Sequence, residues 1–394
     1  MNKADSLWQV FIIFLRLGLT SFGGPVAHLG YFREEFVVRQ RWLSEQAYAD
    51  LVALCQFLPG PASSQVGLAI GLSRAGYAGA ILAWVGFTLP SAIGLVLVAF
   101  GYQVFGDAIP PGLLAGLKLV ALAVVAQAVW GMAVALCQGR VKMTLMMLSA
   151  CVVLISSSIA SQIGVMLLAA VAGLLLIRPH SSASDNSLNI GISRRGATLW
   201  LGVFILLLLG LPLLQQLYPA QLLALVDSFY RTGSLVFGGG HVVLPLLQAQ
   251  TVASGWVSPE AFLAGYGVAQ AVPGPLFTFS VFLGASMQLQ PSGIVGALVC
   301  LLAIFLPSFL LVFAALPFWQ RLRDNCRVRS ALAGVNTAVV GILLAALYDP
   351  VWSSSIHRPA EFAFALLAYM ALVFWKLKPW LVVMLSAGLG TIFL

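Results

Sequence analysis

Two arginines lie in long apolar stretches, of the kind that a bilayer surrounds. Arg16 and Arg231 each stand six residues before a Phe-Gly-Gly sequence. A charge at membrane depth costs about 2.5–3.5 kcal/mol even on a lenient insertion scale, so it requires a partner or a function. We predict that both bind an anion, with a structural ion pair as the alternative. Asp227, four residues before Arg231, is a candidate partner, whereas Ile12 holds that place before Arg16 and leaves it without a local counterion.

Hydroxyl side chains follow two Pro-Gly-Pro sequences. Ser63 and Ser64 follow the sequence at 59–61, and Thr278 follows the one at 273–275. A helix that restarts after such an interruption presents free N–H groups and the positive end of its dipole, which suits an anion. We therefore predict that these side chains bind a substrate. The alternative is that they satisfy only their own helix ends.

The other predicted binding residues flank the same interruptions or lie in a neighbouring segment. Gln56 and Gln270 each stand three residues before a Pro-Gly-Pro sequence, where bracing the break is an equally good role. Lys118 lies six residues into its apolar segment, so snorkelling to the membrane surface is its alternative role. The set is completed by the glycines of the two Phe-Gly-Gly sequences, Gly23, Gly24, Gly238 and Gly239.

The composition places all of these residues in a membrane protein. Of 394 residues, 61% are hydrophobic and 8% are charged, where soluble domains carry about 25% charged residues. So few charges could not coat a soluble protein, which excludes soluble enzymes, nucleic-acid binders and secreted scaffolds. The 20 Lys and Arg outnumber the 12 Asp and Glu. In a membrane protein we expect this excess of basic residues to lie in cytoplasmic loops. No cleavable signal peptide is expected. The sequence has neither an HExxH nor a GxSxG motif, and we expect that the protein is not an enzyme.

Three titratable residues are candidates for coupling transport to an ion. Asp50 is the best buried carboxylate, with pairing to a basic loop residue as its alternative role. His28 and His241 follow the glycine interruptions and titrate near neutral pH, so either could carry a proton. No carboxylate or cysteine stands at metal-ligand spacing beside them, so the sequence predicts neither a metal site nor a cofactor.

Apolar segments predict nine full membrane crossings and four broken helices. A crossing needs about 20 apolar residues, or somewhat fewer in a short helix. The predicted crossings are 76–101, 112–138, 142–157, 160–177, 197–217, 292–316, 330–348, 359–375 and 379–394. The predicted broken helices end at glycine or proline and are 7–22, 44–58, 221–237 and 258–272. Because irregular backbone is tolerated at membrane depth only inside protein or beside a wet cavity, the breaks predict a central site.

The two halves of the sequence repeat each other. Arg16 and the Phe-Gly-Gly that follows it at 22–24 recur as Arg231 and the Phe-Gly-Gly at 237–239. Gln56 and its Pro-Gly-Pro recur as Gln270 and the Pro-Gly-Pro at 273–275, and Leu-Pro-Ser at 89–91 recurs at 306–308. Identities in the same order and at nearly one offset predict an internal duplication.

Loop charges predict that the two repeats have opposite orientations. Four arginines lie in the first half between positions 33 and 74, whereas the corresponding loops at 248–256 and 289–291 carry no charge. The next loop reverses this pattern, since 102–111 holds one acid and 321–329 holds four arginines. Equivalent loops therefore lie on opposite sides, as an inverted-topology repeat requires.

The predicted fold is an all-α polytopic membrane protein with two inverted-topology repeats and re-entrant helices at a central site. The N-terminus is expected in the cytoplasm and the C-terminus outside. The predicted parts are a first repeat, 1–178, with re-entrant hairpins 7–41 and 44–73 and then four membrane helices; a cytoplasmic linker, 179–196; an inverting transmembrane helix, 197–217; and a second repeat, 218–394.

The motifs at the interruptions belong together. They are Ser-Phe-Gly-Gly-Pro at 21–25, Arg-Trp-Leu-Ser at 41–44 followed by Gln-Phe-Leu-Pro-Gly-Pro at 56–61, and Phe-Gly-Gly-Gly at 237–240 with Pro-Gly-Pro at 273–275. This set resembles the chromate ion transporter family in its long two-domain form, and the similarity covers both halves. The resemblance implies an inner-membrane carrier that moves chromate outward and confers resistance, with sulfate as a similar oxyanion.

Two other functions stay open at this stage. A passive anion channel could share the broken helices, and a carrier for sulfate or another small anion would differ only in substrate. A membrane enzyme is not expected, because it would need a catalytic cluster that the sequence does not show. The predicted mechanism holds the anion near the midplane while one set of elements rocks against the other. The expected partners are an inorganic oxyanion, chromate or sulfate, and the lipid bilayer. No nucleic acid is expected, and a homodimer is left open.

Overall fold

The protein is helical throughout the part of the chain that the structure, a computed structural model, describes. The described residues are 6–22, 24–105, 110–156, 159–177, 193–237, 242–319 and 325–393. None of them lies in a β-strand. The predicted all-α fold is therefore confirmed.

The helices of the first half run up to residue 176. They are α1 (Leu7–Thr20), α2 (Gly24–Arg33), α3 (Glu45–Phe57), α4 (Ala62–Phe105), α5 (Pro111–Leu136), α6 (Arg140–Ile155) and α7 (Ile159–Leu176). A wider helical turn, Glu34–Arg39, continues α2. Helix α4 breaks at Ala75 and Gly76, where Gly76 has a φ of +64°. The break separates a short arm, 62–74, from a long arm, 77–105.

A single long helix, α8 (Arg194–Leu217), leads into the second half. The helices that follow are α9 (Gln221–Leu235), α10 (Val243–Thr251), α11 (Pro259–Ala271), α12 (Phe279–Ala285), α13 (Gly293–Ala315), α14 (Cys326–Ala346), α15 (Pro359–Val373) and α16 (Pro379–Phe393). A tight turn, Leu276–Thr278, precedes α12. A wider turn, Leu347–Trp352, follows α14.

The helices have the lengths and surfaces of a membrane protein. Five described helical segments are long and apolar enough to cross a bilayer: Ala62–Val104, Pro111–Leu136, Arg194–Leu217, Gly293–Phe318 and Cys326–Asp349. Large apolar side chains such as Ile155, Leu168 and Leu175 are exposed on the outside. Such a surface is stable in lipid and not in water. The predicted polytopic membrane protein is therefore confirmed.

The broken helices begin and end in the same way in both halves. The side chains of Ser44 and Ser258 accept a hydrogen bond from the N–H three residues later, each at 3.2 Å, and so begin α3 and α11. Helices α1 and α9 end where Ser21 and Val236 take an extended backbone. Equivalent sequence features therefore set equivalent helix ends in the two halves.

The later helices of each half pack against the other half. Helix α5 packs on α15 and α16, and α14 packs on α6 and α7. A side chain at Gly116 would overlap the Ser386 carbonyl oxygen, and one at Gly334 would overlap the Ala169 carbonyl oxygen. Small residues permit such close helix crossings in membranes. Gly334 is the counterpart of Gly116 in the repeat, and Ser386 is the counterpart of Ala169 at nearly the same offset. The crossing of α5 with α16 therefore corresponds to the crossing of α14 with α7, with the two halves exchanged.

Candidate functional site

Two backbone hydrogen bonds bring the interruptions of the two halves together. The N–H of Gly60 donates to the Val236 carbonyl at 2.6 Å, and the N–H of Gly274 donates to the Ser21 carbonyl at 3.0 Å. Each Pro-Gly-Pro sequence therefore lies against the end of the broken helix, α9 or α1, that belongs to the other half. The four chain segments that the sequence predicts to be broken meet in these two pairs.

Both central glycines are required by their geometry. Gly60 has a φ of +120° and Gly274 a φ of +110°, which favour glycine strongly. A Cβ on Gly60 would lie 2.6 Å from Ser308 Oγ, and one on Gly274 would lie 2.8 Å from Ser91 Oγ. The serines of the repeated Leu-Pro-Ser sequence therefore face the Pro-Gly-Pro turns, each across from the other half.

Ser91 and Ser308 are site residues that sequence reasoning missed. The Leu-Pro-Ser repeat was a signal, but it lies far along the chain from either Pro-Gly-Pro sequence. Ser91 donates to the Thr88 carbonyl at 2.9 Å. Ser308 is completely buried, and its hydroxyl has no hydrogen-bond partner in the part of the chain that the structure describes.

Among the described residues, several buried polar atoms without a hydrogen-bond partner lie in the segments that border the interruptions or pack against them. Leaving such an atom unsatisfied costs about 1–3 kcal/mol, so a group of them indicates a place where something binds. The hydrogen-bond donors in this group are Ser21 Oγ, Ser64 Oγ, Thr88 Oγ1, Gln270 Nε2, Ser280 Oγ and Ser308 Oγ. Hydroxyl and amide donors of this kind match the oxygens of an anion.

His28 lies within the first pair of interruptions. His28 is 1% exposed, its Nδ1 lies 3.3 Å from Ser63 Oγ, and its Nε2 has no side-chain partner among the described residues. The ring of Phe87 meets it edge-on, at 5.3 Å between centroids. The predicted residues Ser63 and His28 are therefore brought together, and Gln65 Nε2 braces the adjacent turn by donating to the Pro59 carbonyl at 2.7 Å.

Both predicted anion-binding arginines lie in ion pairs. Arg231 is paired with Asp227, the partner expected from the sequence. Arg16 also has a counterion, which the local sequence did not reveal: its Nη2 lies 3.0 Å from Oε2 of Glu35, a buried carboxylate beyond the first glycine interruption. Glu35 also lies 3.7 Å from Arg39. The Arg16 side chain is 59% exposed, so it remains accessible despite this pair.

The remaining predicted residues occupy varied places. Thr278 Oγ1 donates to the Pro275 carbonyl at 2.7 Å, which satisfies its own turn. Gln56 is exposed on α3, Lys118 is half-buried on α5, and Asp50 is buried on α3. Gly24 opens α2 with a φ of +78°. The other predicted residues, Gly23, Gly238, Gly239 and His241, lie outside the described residues, as do 179–192 of the predicted linker.

One exposed ion pair lies at the outer end of these segments. Arg33 Nε donates to Oε1 of Glu45, the first residue of α3, at 2.6 Å. This hydrogen bond holds the pKa of the Glu45 carboxyl below its usual range. Both side chains are more than half exposed, so the pair is a surface feature and not part of the site.

Broken apolar helices that meet around polar groups are typical of membrane transport proteins. A family model described as chromate transporter matches residues 8–174 and 223–391. This chain belongs to the chromate transporter family, which is a family of transporters and not of enzymes. The predicted family and the predicted absence of enzymatic activity are confirmed.

Relatives match the chain over nearly its full length. A probable chromate transport protein of Synechococcus elongatus is 28% identical, over 100% of this chain and 97% of the relative. A chromate transport protein of Pseudomonas aeruginosa is 28% identical, over 97% and 91%. A chromate transport protein of Cupriavidus metallidurans is 26% identical, over 98% and 93%. No solved structure matches this chain.

Proposed function

We propose that this chain is a secondary transporter that moves chromate outward across the inner membrane and thereby gives chromate resistance. Membership of the family and full-length similarity to proteins named for chromate transport support this substrate. The observation that carries the proposal is the group of unpartnered donors where the interruptions meet. A tetrahedral dianion would accept hydrogen bonds from several of them at once.

The two halves act as inverted repeats around this site. In support, the family model matches the chain twice, at 8–174 and at 223–391, and the two matches stand at nearly the offset of the repeated motifs. The two glycine hydrogen bonds and the two close helix crossings are also equivalent pairs. Inverted repeats with broken helices bind substrate near the midplane and alternate access by rocking.

Donors from both halves hold the anion. Ser64, Gln270 and Ser308 provide polar groups that have no partner among the described residues, and Ser63 lies beside Ser64 in the chain. Gly23, Gly24, Gly238 and Gly239 stay predicted ligands. Arg16 and Arg231 add positive charge, and the anion competes with Glu35 and Asp227 for them. Thr278, Gln56 and Lys118 stay predicted ligands without a further contact in support.

A proton is carried through the same region. His28 is the better-supported candidate, because it is buried and its Nδ1 lies 3.3 Å from Ser63 Oγ. Asp50 is buried on α3 and is the second candidate, and His241 remains a prediction from the sequence. In the proposed orientation the N-terminus is cytoplasmic and the C-terminus lies outside. Sulfate transport and a homodimer stay predictions of the sequence alone.

Uptake of radiolabelled chromate into inverted membrane vesicles tests the function. In such vesicles outward transport appears as uptake, and the membrane potential and the pH gradient are imposed separately. We expect accumulation above equilibrium that depends on one of these gradients and falls when sulfate is added. Vesicles from cells without the protein are the control.

Each other outcome would assign a different transport activity to this chain. Flux that only equilibrates chromate would indicate a passive channel. Driven uptake in right-side-out vesicles alone would reverse the proposed direction. An absence of chromate flux, with the protein present in the membrane at normal amount, would assign the carrier to another anion.

A further inference from the structure

A cleft of about 210 Å³ opens between the two halves. Helices α6 and α7 of the first half form one side, and α10 with the end of α14 forms the other. Most of its wall is apolar, from valine, leucine, isoleucine, alanine and proline side chains. Three polar residues also line it: Gln162, Gln248 and Asp349.

Two of these residues present unsatisfied oxygens. Gln162 on α7 is 4% exposed, and its Oε1 has no hydrogen-bond partner among the described residues. Within the same part of the chain, Oε1 of Gln248 on α10 is likewise buried without a partner. A buried acceptor without a donor is unfavourable, and two of them in one cleft indicate that a bound species completes their coordination.

The third residue supplies a single negative charge. Asp349 lies where the chain after α14 leaves helical geometry, with φ −126° and ψ 114°, and its Oδ1 accepts from Ser353 Oγ at 3.1 Å. Among the residues that line the cleft it is the one carboxylate. Oxygen ligands favour hard metal cations, and one carboxylate with neutral amides balances one positive charge.

We propose that this cleft is a binding site for a monovalent metal cation, with Gln162, Gln248 and Asp349 as its ligands. Amide oxygens coordinate a metal cation but do not titrate, which favours a metal over a proton. The ligands come from both halves, and α10 follows the second glycine interruption directly. Any role of this cation in driving transport, beside the proton proposed above, rests on the proposed transport function, whereas its binding does not.

Binding of ²²Na⁺ to the purified full-length protein in detergent tests the site. We expect saturable binding without chromate present, and a melting temperature that rises with sodium but not with choline at equal ionic strength. Asp349→Asn and Gln162→Leu should each weaken sodium binding by about tenfold or more. Glu260→Gln is the matched control, since it removes an exposed carboxylate outside the cleft and should leave binding unchanged.

Three results would overturn the proposal. They are equal behaviour in sodium and choline, wild-type sodium affinity in both cleft variants, and an equal loss of binding in Glu260→Gln. If Asp349→Asn does not fold, Gln248→Leu on the same side of the cleft provides the same comparison. Sodium binding by a protein that fails to move chromate would refute the proposed function and leave this site standing.

Discussion

Removing the Ser308 hydroxyl should weaken anion binding without lowering the stability of the protein. The side chain is completely buried, and its Oγ has no partner and faces the Gly60 turn. Ser308→Ala removes an unsatisfied donor whose burial costs about 1–3 kcal/mol, so the protein without substrate should be as stable as wild type or more stable. A hydrogen bond from this hydroxyl to a charged oxyanion contributes about 1.5–3 kcal/mol. Its loss corresponds to a roughly 10- to 150-fold weaker affinity for the anion.

Two measurements on the same variant give the answer. The melting temperature in detergent, without chromate, reports stability, and the concentration dependence of chromate uptake into inverted vesicles reports affinity. We expect an unchanged or higher melting temperature together with a large rise in the half-saturating chromate concentration. Immunoblotting of the vesicles normalises the amount of protein.

A matched serine elsewhere provides the control. Ser149 on α6 is 5% exposed, and its Oγ donates to the Leu145 carbonyl of its own helix at 2.7 Å. Ser149→Ala should leave the affinity for chromate unchanged. Wild-type affinity in Ser308→Ala, or a marked fall in its melting temperature, would refute the assignment of this hydroxyl to the anion.

Four further variants test the geometry. Gly60→Ala forces a side chain into a φ of +120° and should cost about 1–3 kcal/mol of stability and most chromate uptake. Gly334→Ala overlaps a neighbouring backbone and should lower the melting temperature by an amount equivalent to about 1–3 kcal/mol. Glu35→Gln leaves Arg16 unpaired and should cost about 1–2 kcal/mol, a figure reduced because Arg16 is largely exposed. Glu45→Gln should remove a step in the pH dependence of the melting temperature: the pair stabilises above the ordinary carboxyl pKa and is lost as pH falls through the lowered pKa of the folded state.

Two of these variants have a matched control, and for the other two a single result would contradict the prediction. Gly131→Ala on α5, where an added Cβ meets no atom within 4 Å, controls for Gly334→Ala and should be neutral or stabilising. Glu34→Gln, beside Glu35 but half-exposed, should change stability less than Glu35→Gln does. Normal chromate uptake in Gly60→Ala would contradict a tight turn at the site. A melting curve for Glu45→Gln that keeps the wild-type pH step would assign that step to another group.

Much of the fold was predictable because it depends on local chemistry. Apolar segments, interrupted at glycine and proline, predicted where α1, α3, α9 and α11 end. N-capping serines at equivalent positions begin α3 and α11, and these serines belong to the repeated sequence. The Asp227–Arg231 pair was also predictable, since four residues on a helix bring the two side chains to one face.

The counterion of Arg16 was not predictable in this way. Glu35 lies beyond a glycine interruption and at the start of a wide helical turn, and it reaches Arg16 only because the chain folds back. For the same reason Ser91 and Ser308 did not appear as site residues. Each of these serines lies in the other half of the chain from the Pro-Gly-Pro turn that it faces, so no helical spacing along the sequence relates the two.

The sequence by itself determined the class of protein, the positions of the interruptions and the offset at which the halves repeat. These features follow from the hydropathy, backbone freedom and spacing of neighbouring residues, which act over a few turns of helix. Only the tertiary structure decided that Gly60 meets Val236 and that Gly274 meets Ser21, so that each half completes the other. It also decided which buried donors stay unpartnered, because a hydrogen-bond partner is chosen by proximity across the whole fold and not along the chain.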